Sequence, residues 1–96
     1  MQILVTLKMG DGISLEQMYP YIKPEAAKVW ELYTAGSVRT IYYRDDVPGA
    51  ILILEVADAI EASEIVKTLP LVNNDLLAVE IIPLKPYTGL EQLFTK

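Results

Sequence analysis

Apolar residues alternate with their neighbours in four stretches of the chain, and between these stretches they recur every three or four positions. Residues 2 to 8 form the first alternating stretch, with Ile3, Val5 and Leu7 on one face and Leu4 and Thr6 on the other, which predicts a strand covered on both sides. The loop Met9–Gly10–Asp11–Gly12 follows. Ser14 with Gln17 three residues later has the form of a capping box, so a short helical segment is expected from Ser14, interrupted near Pro20. The main helix is expected after Lys23, with Pro24 at its first position. Ala26, Val29, Trp30 and Tyr33 repeat at helical spacing, and Gly36 suits the position just past the end.

Residues 37 to 44 and 50 to 56 are rich in Val, Ile, Leu and Tyr, and Asp45–Asp46–Val47–Pro48–Gly49 between them is turn chemistry, so the two read as an antiparallel hairpin. With Arg44 facing Ala50, Tyr43 would oppose Ile51, Ile41 would oppose Ile53, and Arg39 would oppose Glu55. Asp58 and Glu61 cap a second helix over residues 58 to 68, whose stripe is Ile60, Ile65 and Leu69 and which Pro70 ends. Residues 76 to 82 make the fourth strand, bounded by Pro83 and Pro86. Thr88 and Glu91 cap a last helical turn whose Leu90, Leu93 and Phe94 cannot be buried by one turn alone, so this tail should pack on the domain or reach a second subunit.

The order strand, helix, strand, strand, helix, strand gives an α+β fold of ferredoxin-like βαββαβ topology: a four-stranded antiparallel sheet with both long helices on one face and a C-terminal helical tail. The other face, expected to hold Ile41, Tyr43, Ile51 and Ile53, is too apolar to stay wet, which predicts a homodimer packed through its sheets.

Length and composition narrow the setting. The 96 residues fit one domain, 1–96, and 52% of them are hydrophobic, so the chain has material for a core and invites association to enlarge it. The net charge is −5 and the eight basic residues are scattered, which argues against a nucleic-acid surface. No apolar run is long enough to span a bilayer and the first residues lack a basic leader, so no membrane partner and a cytoplasmic location are expected. With no Cys and no His, chemistry falls to carboxylates, Tyr, Lys and Arg, and no metal site is expected.

Arg39 and Glu55, read as opposed on one sheet face, are the leading candidates. Guanidinium holds a ligand carboxylate in two hydrogen bonds and a carboxylate can move a proton, but a cross-strand ion pair that clasps the hairpin needs the same two residues. Tyr42, Tyr43 and Arg44 form a second group. Adjacent strand residues face opposite ways, so Tyr43 should share the face of Arg39 and Tyr42 should point towards the helices with Trp30 and Tyr33. Trp30 either walls a pocket between helix and sheet or is plain core.

Ala35–Gly36–Ser37–Val38–Arg39, the strand ending Leu54–Glu55–Val56, and Leu69–Pro70–Leu71–Val72 with the strand after it resemble the muconolactone isomerase family of dimeric α/β-barrel proteins over roughly residues 25 to 85. The resemblance implies a dimer formed through the sheets and a pocket for a small organic ligand, here expected to be anionic. It implies a lactone or unsaturated-acid isomerase working by an intramolecular proton shift without a cofactor, in which Arg39 anchors the ligand, Glu55 shuttles the proton and Tyr43 polarises a carbonyl. Trp30, Tyr42 and Arg44 complete the expected binding set. The chain departs from the family in lacking its histidines and in its C-terminal tail. A non-enzymatic dimeric module with a packed interior is the alternative, and a cofactor-free monooxygenase is a third reading, since related barrels include such enzymes.

Overall fold

The computed structural model describes residues 1–96. Strand β1 (Gln2–Met9) leads into helix α1 (Leu15–Thr34), followed by β2 (Val38–Tyr43) and β3 (Gly49–Glu55), helix α2 (Ala59–Lys67), the short helix α3 (Pro70–Asn73), strand β4 (Leu77–Pro83) and a terminal 3-10 helix (Gly89–Phe94). The strands form one antiparallel sheet in the order β2-β3-β1-β4, the split βαβ arrangement of a ferredoxin-like α+β fold. Central β1 hydrogen-bonds to both β3 and β4, so Val5 lies between Leu52 and Ile81.

Alternation sends Ile3, Val5 and Leu7 of β1 and Leu52 and Leu54 of β3 to the helix side, where they join Val38, Ala62, Val66 and Leu69 in the main core, with Val29 and Leu32 of α1 packed against it. Each large aliphatic side chain taken out of water there contributes about 1.5–3 kcal/mol. Helix α2 starts as its residues dictate: the Asp58 carboxylate accepts the Glu61 N–H at 2.8 Å and the Glu61 carboxylate accepts the Ala57 N–H at 2.8 Å.

Two expectations are corrected. The segment from Ser14 is not a separate short helix; α1 runs unbroken through Pro20 and Pro24, opened by the Ser14–Gln17 capping box. Both prolines lie on the exposed side, as does Glu16, so the carbonyls they leave unpaired can be met by water.

The hairpin register is also displaced by one residue. Tyr43 pairs with Ala50, Tyr42 with Ile51, Ile41 with Leu52 and Thr40 with Ile53, and the ladder then shifts so that Val38 meets Leu54, leaving Arg39 as the extra residue of a β-bulge. Arg39 therefore does not oppose Glu55. The physical reason lies at both ends of the strand. Arg44 belongs to the turn, donating its backbone N–H to the Gly49 carbonyl at 3.0 Å and its guanidinium to Asp46, and the bulge turns Val38 into the core. Ile41 and Tyr43 consequently face the helices, and Tyr42, with Ile51, Ile53, Leu4 and Ile82, makes up the apolar part of the opposite face. That face also carries a Thr6–Glu80 hydrogen bond of 3.3 Å.

Beyond β4 the chain leaves the body. Apart from Leu84, which donates to Gln2, no hydrogen bond outside the regular elements ties the last dozen residues to the remainder, and Leu93 and Phe94 are 76% and 85% exposed. No helix is long and apolar enough to cross a membrane.

Candidate functional site

The apolar stripe of α1 runs Met18, Ile22, Val29 and Tyr33, at steps that keep one helix face towards the sheet, and Glu25 occupies a place in the middle of that stripe. Because α1 is continuous, this face forms one wall of a cavity of about 550 Å³ against the β2–β3 hairpin. That size suits a small organic molecule. Buried Leu7 and Leu52 lie at its floor, Leu71 and Leu77 line its far side, and Trp30, Tyr33 and Tyr43 stand at the exposed mouth, Tyr43 being 94% exposed. The Trp30 and Tyr33 rings stack with centroids 6.1 Å apart.

Thirteen of the fifteen lining residues are hydrophobic, and the other two are Gly49 and Glu25. Gly49 is there for space: a Cβ on it would drive into the Leu7 carbonyl of the neighbouring strand. Glu25 is the chemistry. Its carboxylate is half-buried and accepts the Leu71 backbone N–H at 2.9 Å, and burial raises its pKa above the ordinary carboxylate value while that hydrogen bond pulls the other way. Leu71 offers its N–H because Pro70 starts α3 and leaves the first amides of that helix without internal partners. The Leu69–Pro70–Leu71 turn noted in the sequence thus has a definite job, which is to hold the Glu25 carboxylate.

Of the residues singled out from the sequence, the structure brings Trp30 and Tyr43 to the cavity. Tyr42 lies on the opposite sheet face and Arg39 in the bulge, and neither lines the cavity. Arg44 is clasped to Asp46 at 2.7 Å, and the guanidinium hydrogen bonds hold the Asp46 carboxyl down to about 2. The Glu55 carboxylate lies 3.8 Å from the Met1 amino group, away from the cavity, and Arg39 enters no ion pair. Glu25 is the functional candidate that the sequence reading missed. Its signal was a lone carboxylate at a core-facing position of an apolar helical stripe. No group of three or more His, Cys, Asp or Glu side chains is placed to hold a metal ion.

A family profile described as muconolactone delta-isomerase matches residues 1–89. No curated protein matches the sequence. Among solved structures, the 5-chloro-2-hydroxyhydroquinone dehydrochlorinase of Burkholderia phenoliruptrix AC1100, in complex with 2,5-dihydroxybenzoquinone, is similar with a TM-score of 0.75 at 19% identity, over 93% of this chain and 98% of that one. A muconolactone isomerase crystal structure is similar with a TM-score of 0.75 at 13% identity, over 93% of each chain. At these identities the structural likeness establishes the shared fold.

Proposed function

As the chain belongs to the muconolactone delta-isomerase family, we propose that it catalyses a proton shift on a small unsaturated carbonyl compound bound in the cavity between α1 and the hairpin, with Glu25 carrying the proton. The observation that carries this reading is a single half-buried carboxylate, held by the Leu71 N–H, in a cavity otherwise lined by apolar and aromatic side chains.

In such a shift the ionised carboxylate takes a proton from the carbon next to the carbonyl, the electron pair moves into the conjugated system as an enolate, and the now protonated carboxyl returns the proton further along. Atoms and charge balance without an oxidant or a second substrate. Desolvation of Glu25 makes it a stronger base than a carboxylate in water, which suits removal of a weakly acidic C–H proton. The Tyr43 hydroxyl at the mouth is the donor for the developing enolate oxygen, and Trp30 with Tyr33 provides the flat wall against which a planar conjugated ring lies. The role first assigned to Glu55 falls in this geometry to Glu25.

Assembly belongs to the same reading. The sheet face bearing Tyr42, Ile51, Ile53 and Ile82, on which Tyr42 is well exposed, and the tail are apolar surfaces with no cover in this chain, and a second copy packed through the sheet face would cover the first.

The test is exchange of the α-proton of unsaturated lactones and enones for deuterium, followed by NMR. Glu25→Gln should slow it by about 10²–10⁴-fold, the usual contribution of a general base. Unchanged exchange in this variant would overturn the assignment.

A further inference from the structure

We infer that Asn74 is a positioning residue for Glu25, because it grips the far end of the peptide unit whose near end holds the carboxylate. The inference rests on the role given to Glu25 above. The Pro70 carbonyl and the Leu71 N–H belong to one planar peptide unit. Its N–H donates to the Glu25 carboxylate at 2.9 Å, and its carbonyl accepts from the Asn74 side-chain amide at 2.7 Å and from the Asn74 backbone N–H at 3.1 Å. Asn74 and Glu25 are thus joined through a single rigid plate.

Helix α3 needs such a grip. It has four residues, no side chain caps its start, and Pro70 has no N–H to give, so its orientation is set from its C-terminal end. Asn73 donates to the Leu69 carbonyl at 2.8 Å, Asp75 to Val72 at 3.0 Å and Leu76 to Leu71 at 2.9 Å, and the buried Leu69 and Leu71 side chains anchor the turn. Those bonds hold the turn as a whole, whereas both donors on the peptide unit facing Glu25 come from Asn74. On the other side of the contact, every other side-chain hydrogen bond of α1 stays within the helix or its cap.

The plate does more than hold still. Donors on a carbonyl polarise the adjoining N–H, so the chain from Asn74 through Pro70–Leu71 to Glu25 is cooperative. A stronger Leu71 donor favours the ionised carboxylate, which is the form that begins the proton shift. The ionisable groups that α1 and the hairpin set around Glu25 are the phenols of Tyr21, Tyr33 and Tyr43, and Lys28, which is paired with Glu31. Helix α3 carries none, and Asp75 beyond its end is exposed.

The experiment is an NMR pH titration of the isotope-labelled full-length protein, with the Glu25 carboxyl resonance assigned through Glu25→Gln. In the wild type the Leu71 amide and the Asn74 side-chain amide should move with the Glu25 midpoint, while the Asn73 side-chain amide should not. In Asn74→Ala the Glu25 midpoint should rise, and the acid limb of deuterium exchange should rise with it. Below that midpoint exchange should slow by about two- to fourfold, the scale of cutting one bond of a cooperative chain. Asn73→Ala should leave both titrations in place. A merely structural Asn74 would lower the thermal midpoint, or exchange at every pH, without moving either titration, and that result overturns the inference. So does a wild-type Asn74 amide that ignores the Glu25 titration, a measurement that needs no variant to fold. The carboxyl titration is read without turnover. A raised Glu25 midpoint in Asn74→Ala, with exchange unaffected in Glu25→Gln, sinks only the catalytic role of Glu25, whereas a fixed midpoint with exchange that depends on Glu25 sinks only the role of Asn74.

Discussion

A carboxylate in the middle of an apolar helix face is costly to keep ionised, and Glu25 is kept by one backbone donor at 2.9 Å. Its raised pKa carries a stability consequence of fixed sign. A carboxyl whose pKa is higher in the folded state favours the fold while it is protonated, and that contribution is lost as the pH rises through the folded-state pKa. Glu25→Gln mimics the protonated form and can still accept from the Leu71 N–H, so its thermal midpoint at pH 7 should equal or exceed that of the wild type. The difference should shrink as the pH falls below the ordinary carboxylate range, as differential scanning calorimetry across pH would show. A lower midpoint for the variant at pH 7 would mean that the ionised form is stabilised by something other than this hydrogen bond. The position of Glu25 could be read from the spacing of Met18, Ile22, Val29 and Tyr33 around it. It escaped notice because a helix begun at Pro24 puts Glu25 in the first turn, where an acidic side chain merely complements the helix dipole. Trp30 was named in the sequence as a possible pocket wall, whereas Tyr43 reaches the cavity only because the register turns it to the helix side, opposite to the face expected for it.

At the level of elements, the order and the number of strands followed from alternation and turn chemistry, whereas the register of β2 on β3 did not. Period-two patterning is nearly symmetric in a strand such as Ile41–Tyr42–Tyr43, since apolar and aromatic residues suit both sides, and so a slip of one residue costs nothing in pattern. What decides it are contacts outside the pattern: the Arg44–Asp46 clasp that draws Arg44 into the turn, and the bulge at Arg39 that buries Val38. The joining of two expected helical segments into α1 has a similar origin. Pro20 and Pro24 would each cost an isolated helix about 3 kcal/mol, but packing of Met18, Val29 and Leu32 holds the segment together. The hairpin is most sensitive at Gly49, where β3 passes the Leu7 carbonyl too closely for a side chain. Gly49→Ala should destabilise the protein by about 1–3 kcal/mol in urea unfolding. It should also weaken ligand binding, because Gly49 and Leu7 both line the cavity. Wild-type stability in this variant would show that the two strands can separate without penalty.

The molecule as a whole is longer than its size requires. Its Cα radius of gyration is 15.6 Å against about 12.5 Å expected for a compact chain of this length, and its extents are 59 × 28 × 20 Å. The excess agrees with a tail whose Tyr87, Leu90, Leu93 and Phe94 are all exposed. The apolar turn was evident in the sequence, but where it rests was not, because the pattern of one turn does not say which surface it meets. Truncation after Pro86 should weaken self-association severalfold in sedimentation velocity while leaving the thermal unfolding of the remaining fold little changed; undiminished association would show that the tail has no part in it. If the tail docks on a second copy, as in the proposed assembly, the completeness of each molecule depends on how many others are nearby. In that case dilution would free the arms before the folds are lost, and the concentration below which chymotrypsin cuts at Tyr87, Leu90, Leu93 and Phe94 would read out the affinity of the assembly.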